Sequence, residues 1–492
     1  MNVPIVRIFA VVLLGFGSLV YFTSKWAVFD ADALEEKTQN RRPLIQEQQI
    51  PRGDIRTVDG VLVAESLPSG GGKNPVFVRQ YPEGPLFGHP VGYSFVDVGR
   101  TEIELSENDL LVGEENEFET IIDQLRDVPQ EGADITLTVD AEAQRIAAEG
   151  LESAVAANSG AFPGVGGAVV AIEPDTGAVR AMASAPGYDP NTVEAEGELS
   201  RLNDAQGSPL LNRPTQSVYP PGSTMKVVTA AAGLDSGEIT PDTVINADSP
   251  KEISGVPLEN AGGEPFGDIT ATFALTNSVN TYWAQVGERL GTGTMVEYMK
   301  RFGFYADPEL DYPGDQMAPS GVINSAGELV EDDFDVGRVA IGQGGEEGQA
   351  LASALQMAQV AGTVANGGVL MEPTFLQEAK DPDGRTIEEL DPEEQNRVIS
   401  EESAATLTEM MTNVTREGTA SDLSVDGVEF AGKTGTAEIS VQEGINQPWF
   451  IAFAPAQDPQ IAVAATVERC NGCFGADVAG PIATAVMENL LE

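Results

Sequence analysis

The chain has 492 residues, with 77 acidic against 27 Lys plus Arg side chains, a formal charge of −50, and 41% hydrophobic residues. That length allows about three domains and a sizeable core. The charge disfavours nucleic acid as a partner and reads as a solvated acidic shell, with salt adaptation the second reading. One histidine and two cysteines leave no ligand set for a usual zinc site, and no phosphate-cradling GxxxxGK[ST] loop is present, so neither metal nor cofactor is expected.

The first element is Ile8–Phe22, an uncharged apolar run of 15 residues between Arg7 and Lys25. As a helix it covers about 22 Å, short of a ~30 Å hydrocarbon core. Thr23 and Ser24 extend it, Lys25 can snorkel, and Trp26 suits an interface. The cleavage-like Ala31-Asp32-Ala33 lies well past the run, so a retained anchor over 8–24 is favoured over a cleaved signal. Residues 1–7 then form a cytoplasmic tail, and a single-pass chain carries its bulk on the extracytoplasmic side.

Residues 25–135 are irregular and polar, turn-rich in "SGGGKNP" and "YPEGPLFGHPVGYS", with a strand-like alternation in "DGVLVAES". They read as a non-catalytic pedestal or interaction module. His89 reads as a loop residue, which removes the one histidine available to a Ser-His-Asp triad.

The texture changes near Asp134, and residues 136–492 read as one α/β unit. "DITLTVD" alternates like a strand, and "AEAQRIAAEGLESAVAA" has helical spacing. "GGAVVAIEPDTGAVRAMASAP" is a hairpin turning at Asp175-Thr176-Gly177. A middle that is helical in places follows: "STMKVVTAAAGL", "TATFALTNSVNTYWAQVGERL", "LASALQMAQVAGTVANGG" and "SEESAATLTEMMTNVTREG". Three strand-like runs ("GVEFAGKTGTAEIS", "PWFIAFAPA", "PQIAVAATVER") and the helix "VAGPIATAVMENLLE" close the chain. The expectation is one antiparallel sheet drawing strands from both ends of the region, with helices packed on it. Cys470 and Cys473 sit in a Gly/Asn turn, which favours a local staple or two free thiols over a thioredoxin-like centre.

Chemistry concentrates in three short segments. In "YPPGSTMK", Pro220, Pro221 and Gly222 set up a helix start, with Ser223 beside it and Lys226 one turn up on the same face. The positive end of the helix and a low dielectric both disfavour a protonated lysine, so Lys226 is placed to act as base toward Ser223. The Ser223 backbone N–H points toward a developing oxyanion. A lone S-x-x-K is common and carries little by itself. Here "TNSVN" adds Ser278 and Asn280, and "AGKTGTAE" adds Lys433, Thr434, Gly435 and Thr436 in a strand-like run. Gly435 reads as room for a substrate backbone on that strand. Lys433 reads as a second cation that keeps Lys226 neutral and holds a carboxylate.

S-x-x-K, S-x-N and K-T-G in this order are shared by penicillin-binding proteins and class A β-lactamases. The chain resembles a class B penicillin-binding protein, a membrane-anchored peptidoglycan D,D-transpeptidase, and its passage "YPEGPLFGHPVGYS" with the later "GRTEIE" is similar to the short actinobacterial penicillin-binding protein A type. "IPRGDIRTVDGVLVAES", "LNRPTQSVYPPGSTMK", "GQG", "LQMAQVAGTVANGG" and "PWFIAFAPA" carry the likeness along most of the chain. The resemblance implies a serine β-lactamase-like transpeptidase domain over 136–492. It implies Ser223 as nucleophile toward the D-Ala-D-Ala donor stem peptide, with Lys226 as its base. Ser278 would relay protons, Asn280 would bind the acyl side chain, and Lys433 with Thr434 would hold the terminal carboxylate. The Ser223 and Thr436 backbone N–H groups would form the oxyanion hole. It implies as partners an amine acceptor on a second stem peptide, β-lactams, the cytoplasmic membrane and other cell-wall synthesis proteins. The middle motif reads S-V-N, within the family's S-x-N, while "GQGGEEGQALASALQMA" is longer and more acidic than the family pattern.

Other functions on this fold are a D,D-carboxypeptidase, with water as acceptor, and a β-lactam sensor, for which seven cytoplasmic residues are few. A β-lactamase of class A would need E-x-x-L-N after the middle motif, and none occurs between Asn280 and Lys433.

Overall fold

A computed structural model describes residues 3–25, 47–69, 75–113, 130–345, 347–440 and 443–492. Helix α1 runs Val3–Ser24 and leaves its large apolar side chains, Ile8 to Phe22, exposed. By length and apolarity, no helix among the described residues meets the measure of a membrane span. Trp26, the Ala31-Asp32-Ala33 sequence and most of "SGGGKNP" lie outside the described residues.

The N-terminal module is built on a sheet. Its strands are β1 (Ile55–Arg56), β2 (Leu62–Ser69), β3 (Val76–Gln80) and β4 (Asp134–Leu137). The "IPRGDI" stretch explains their packing. Arg52 Nε and Arg79 Nε donate to opposite oxygens of the fully buried Glu104, at 2.7 and 2.6 Å. Gly53 has no room for a side chain, because a Cβ there would lie 1.7 Å from Ala133 O. His89 is not a loop residue: it lies in a short helical turn, Gly88–Val91, and is buried, with Nε2 2.9 Å from Pro209 O and its ring edge-on to Tyr188. Local apolar packing of "LFGHPVG" outweighed its turn-rich composition.

The expected elements then follow. Helix α2 (Ala141–Ser159) is capped by Asp140, which accepts from Ala143 N at 2.8 Å. Strands β5 (Gly167–Ile172) and β6 (Val179–Ala185) pair antiparallel. The middle supplies α3 (Lys226–Asp235), α4 (Ala271–Thr276), α5 (Asn280–Arg301) and α6 (Ala354–Ala365). It also supplies two strands that sequence periodicity did not assign, β7 (Leu376–Lys380) and β8 (Thr386–Glu389). These join the N-terminal sheet in the order β8-β7-β4-β1-β2-β3, with Leu376 opposite Leu137 and Lys380 opposite Asp134. Helix α7 (Glu401–Glu417), strands β9 (Ala431–Ser440), β10 (Ile445–Ala454) and β11 (Ile461–Val467), and helix α8 (Gly475–Leu491) complete the chain.

The second large sheet has the order β9-β10-β11-β5-β6, antiparallel throughout, and takes strands from both ends of the region as expected. Every residue of β5 and β11 is buried, which accounts for their continuous apolar runs. Helices α2 and α8 pack against each other and the sheet, α6 packs against β11, β10 and β5, and α7 lies against β9. Cys470 and Cys473 form a disulfide with a Cα separation of 5.9 Å. Part of the acidic stretch after Gly-Gln-Gly forms a strand, Gln349–Leu351, paired with Gly321–Ile323; Glu346 lies outside the described residues.

Candidate active site

The segment carrying Ser223 is shaped by glycine. After Pro220-Pro221, Gly222 adopts φ +53°, a conformation that L side chains rarely take. A Cβ there would also sit 2.9 Å from Ala437 N, and one on Gly342, the first glycine of Gly-Gln-Gly, would lie 2.0 Å from Gly222 O. The chain then forms a 3-10 turn, Gly222–Met225, before α3 begins at Lys226. In a 3-10 turn side chains at i and i+3 eclipse, which brings Lys226 Nζ to 2.9 Å from Ser223 Oγ. Ser223 is half-buried and Lys226 is fully buried.

The middle motif interrupts a helix. Between α4 and α5, Ser278 sits at φ +56°, a left-handed conformation costing roughly 1 kcal/mol for such a residue. This kink turns Ser278 O to 2.7 Å from Lys226 Nζ and Ser278 Oγ to 3.2 Å. Asn280 Oδ1 is 2.7 Å from the same nitrogen, and its Nδ2 donates to Glu259 O at 3.2 Å.

Strand β9 brings the third motif. Lys433 is fully buried, and its Nζ donates to Ser278 Oγ at 2.9 Å and to Thr434 O at 3.0 Å. Thr434 Oγ1 lies 2.6 Å from Thr419 Oγ1, and Thr436 Oγ1 accepts from Gly475 N at 3.4 Å. Gly435 is needed by the chain's own packing: a Cβ there would meet Pro221 O and Trp449 Cβ at 2.8 Å and Thr224 Cγ2 at 2.9 Å. Its small size lets the strand lie against the Ser223 turn, a reason different from the substrate approach read from sequence.

The electrostatics follow from burial. Desolvation, and then the charge of Lys433, push the Lys226 ammonium well below the usual lysine range. Burial brings Lys433 down to about 7. Among the described residues, the oxygens that hydrogen-bond the two lysines, those of Ser223, Ser278, Asn280 and Thr434, are all neutral.

Supporting residues escaped the sequence reading. Trp449 Nε1 donates to Pro220 O at 2.9 Å, and Tyr219 OH and Arg213 Nε both donate to Glu468 Oε1, at 3.0 and 2.7 Å. Thr419, bonded to Thr434, is a further one. The segments of Arg213, Tyr219 and Trp449 carried the resemblance, but nothing local marks Glu468 or Thr419.

Residues 167–488 match the model of the penicillin binding protein transpeptidase domain, and residues 52–135 that of the penicillin binding protein A dimerisation domain. The chain belongs to the penicillin-binding transpeptidase family. This transpeptidase is 32% identical to the peptidoglycan D,D-transpeptidase PbpA of Mycobacterium tuberculosis, covering 100% of this chain and 99% of the relative. It is 33% identical to PbpA of Mycolicibacterium smegmatis with the same coverage. Among solved structures it is similar to the ceftriaxone acyl-enzyme of penicillin-binding protein A from M. tuberculosis, with TM-score 0.80, 31% identity, and 91% of this chain and 100% of the other covered. The penicillin G acyl-enzyme of the same protein matches at TM-score 0.77 and 31% identity, over 90% and 100%.

Proposed function

We propose that this penicillin-binding transpeptidase cross-links peptidoglycan stem peptides through an ester on Ser223. The oxygen shell of Lys226 carries the reading. A neutral amine has two N–H groups and one lone pair. Two acceptor-only oxygens, Ser278 O and Asn280 Oδ1, lie at 2.7 Å and take both N–H groups. The lone pair is left for the Ser223 hydroxyl at 2.9 Å.

Ser223 Oγ attacks the carbonyl of the D-Ala-D-Ala bond and gives its proton to Lys226 Nζ. The proton passes to Ser278 Oγ and on to the leaving amine, the C–N bond breaks, and terminal D-Ala departs. The acceptor amine then attacks the ester, loses its proton along the same path, and frees Ser223. The backbone N–H groups of Ser223 and Thr436 hold the oxyanion. Thr434 meets the donor carboxylate directly, while the enclosed Lys433 acts on it through its field. Asn280 orients Lys226 and offers Nδ2 to the acyl side chain. β-Lactams acylate the same serine. In this reading residues 8–24 anchor the chain in the cytoplasmic membrane, 25–135 form the non-catalytic module that meets other cell-wall synthesis proteins, and 136–492 work outside the cytoplasm.

Fluorescent penicillin followed by peptide mapping tests the nucleophile: label appears on Ser223 and vanishes in Ser223→Ala. A D-amino acid acceptor should speed thioester-donor consumption. Label that survives in the variant defeats the serine assignment, and consumption indifferent to amine favours a carboxypeptidase.

A further inference from the structure

Between α7 and β9, Gly418-Thr419 ties two of the three motifs together. Gly418 lies so close to the segment before Ser278 that a Cβ would meet Thr276 O at 2.3 Å. The Thr419 backbone N–H donates to that same oxygen at 3.2 Å. The Thr419 side chain, exposed, reaches the other motif, with Oγ1 2.6 Å from Oγ1 of the mostly buried Thr434. One link is backbone and survives any substitution at 419 other than proline; the other is the hydroxyl alone.

A hydroxyl carries a single proton. In the Thr419–Thr434 bond one oxygen donates and the other accepts. If Thr434 donates to Thr419, it has no proton for a substrate. If Thr419 donates, the Thr434 O–H is released toward the cleft. The direction matters here because Lys433 Nζ is enclosed and engaged with Ser278 Oγ and Thr434 O. That leaves the Thr434 hydroxyl as the group of the pair able to touch a carboxylate. An anion in the cleft selects the arrangement in which Thr434 donates outward, and a donor behind Thr434 strengthens that bond by polarising it.

We propose that Thr419 is a positioning residue of the donor site: its hydroxyl donates to Thr434 Oγ1 and so presents the Thr434 proton to the terminal carboxylate of the donor peptide or β-lactam. The inference rests on the reading above that Thr434 receives this carboxylate. Valine at 419 keeps the shape and the backbone bond to Thr276 and removes only the hydroxyl; serine restores the hydroxyl.

The test compares acylation of the full chain and of its Thr419→Val and Thr419→Ser variants by penicillin G and by penicillin methyl ester, which lacks the carboxylate charge. Thr419→Val should acylate with penicillin G about tenfold more slowly, the scale of one hydrogen bond to a charged group, with the loss in the half-saturating concentration rather than the limiting rate. Thr419→Ser should recover to within about twofold of the parent. The methyl ester should react equally slowly with all three proteins. An unchanged valine variant, a loss shared equally by acid and ester, or a serine variant no better than valine each overturns the role of Thr419. A parent that takes label at Ser223 but reacts as fast with the ester as with the acid removes the carboxylate contact at Thr434, and the inference with it. A parent that takes no label at Ser223 defeats the transpeptidase reading as well.

Discussion

Lys226→Arg keeps a cation on the same turn and, in the proposed mechanism, removes the base. In the parent, Lys226 Nζ faces Ser278 O and Asn280 Oδ1 at 2.7 Å and Ser223 Oγ at 2.9 Å. A guanidinium has only N–H donors and stays protonated near neutral pH, so it aims a third donor where Ser223 needs a lone pair. General-base catalysis contributes 10²–10⁴-fold, so acylation should fall by roughly a thousandfold. At 1.36 kcal/mol per tenfold, that is about 4 kcal/mol of barrier. Lys226→Ala should lose as much, because it removes the base and leaves two oxygens without a donor. In the proposed mechanism the neutral amine is the active form, and burial followed by Lys433 lowers its proton affinity, so the parent rate should rise with pH through a range below that of an ordinary lysine. The arginine variant should lack this rise. Stopped-flow acylation with a fluorescent penicillin across pH measures both effects. An arginine variant within about tenfold of the parent, or one with the same ascending limb, refutes Lys226 as the base.

Burial holds Lys433 at about 7, so kcat/KM for a donor bearing a carboxylate should fall as pH rises through that value and Lys433 loses its charge. Lys433→Arg stays charged and should flatten the fall; the same fall in that variant assigns it to another group. In the N-terminal module, Glu104→Gln leaves buried Arg79 without a carboxylate and buried Arg52 with only Glu47 at 3.8 Å, and should cost about 3–5 kcal/mol in denaturant unfolding; a loss under about 1 kcal/mol contradicts the bridging role of Glu104. Burial pushes Glu104 up, but Arg79 and Arg52 outweigh it and hold it at about 2. Its stabilisation is therefore complete above the ordinary value of 4.5 and lost as pH falls toward 2. A chain starting at Asp30 should leave the membrane fraction and still take penicillin; loss of labelling in that folded truncate places residues 8–24 within the catalytic unit.

What the sequence disclosed followed from how local each constraint is. Ser223 and Lys226 were legible because one helical turn fixes their spacing, and β5 and β11 because full burial demands an unbroken apolar run. The hairpin at Gly177 was visible as local turn chemistry. The pairing of β7 with β4 was not, because a strand's alternation says nothing about a partner far along the chain. The left-handed Ser278 was hidden for a related reason: it departs from the helical pattern of its neighbours only to bring two oxygens to Lys226. Gly435 was legible as a position that must be small, but the neighbour demanding it, the Pro221 turn, comes from a distant segment. Thr419 has no local signature, since its hydroxyl matters only through Thr434.

The two lysines also act as a unit, and Ser278 Oγ touches both, at 3.2 and 2.9 Å. A chain bearing −50 places its acids away from Lys226, where a carboxylate would hold the lysine's proton. Surface charge is screened within about 8 Å at physiological salt, whereas the buried pair is not. In the proposed mechanism a proton on Lys433 therefore favours neutral Lys226, an arriving donor carboxylate should favour that same distribution, and binding should prepare the base. Groups coupled this closely titrate as a pair. Lys433→Met removes the cation while nearly conserving volume. The ascending limb of acylation, measured with penicillin methyl ester so that carboxylate binding does not intrude, should then move to higher pH, because Lys226 keeps its proton longer without a neighbouring charge. The shift should appear in the pH of the limb and not only in the rate reached above it. A limb that stays in place while the rate falls confines Lys433 to substrate binding and excludes it from setting the state of the base.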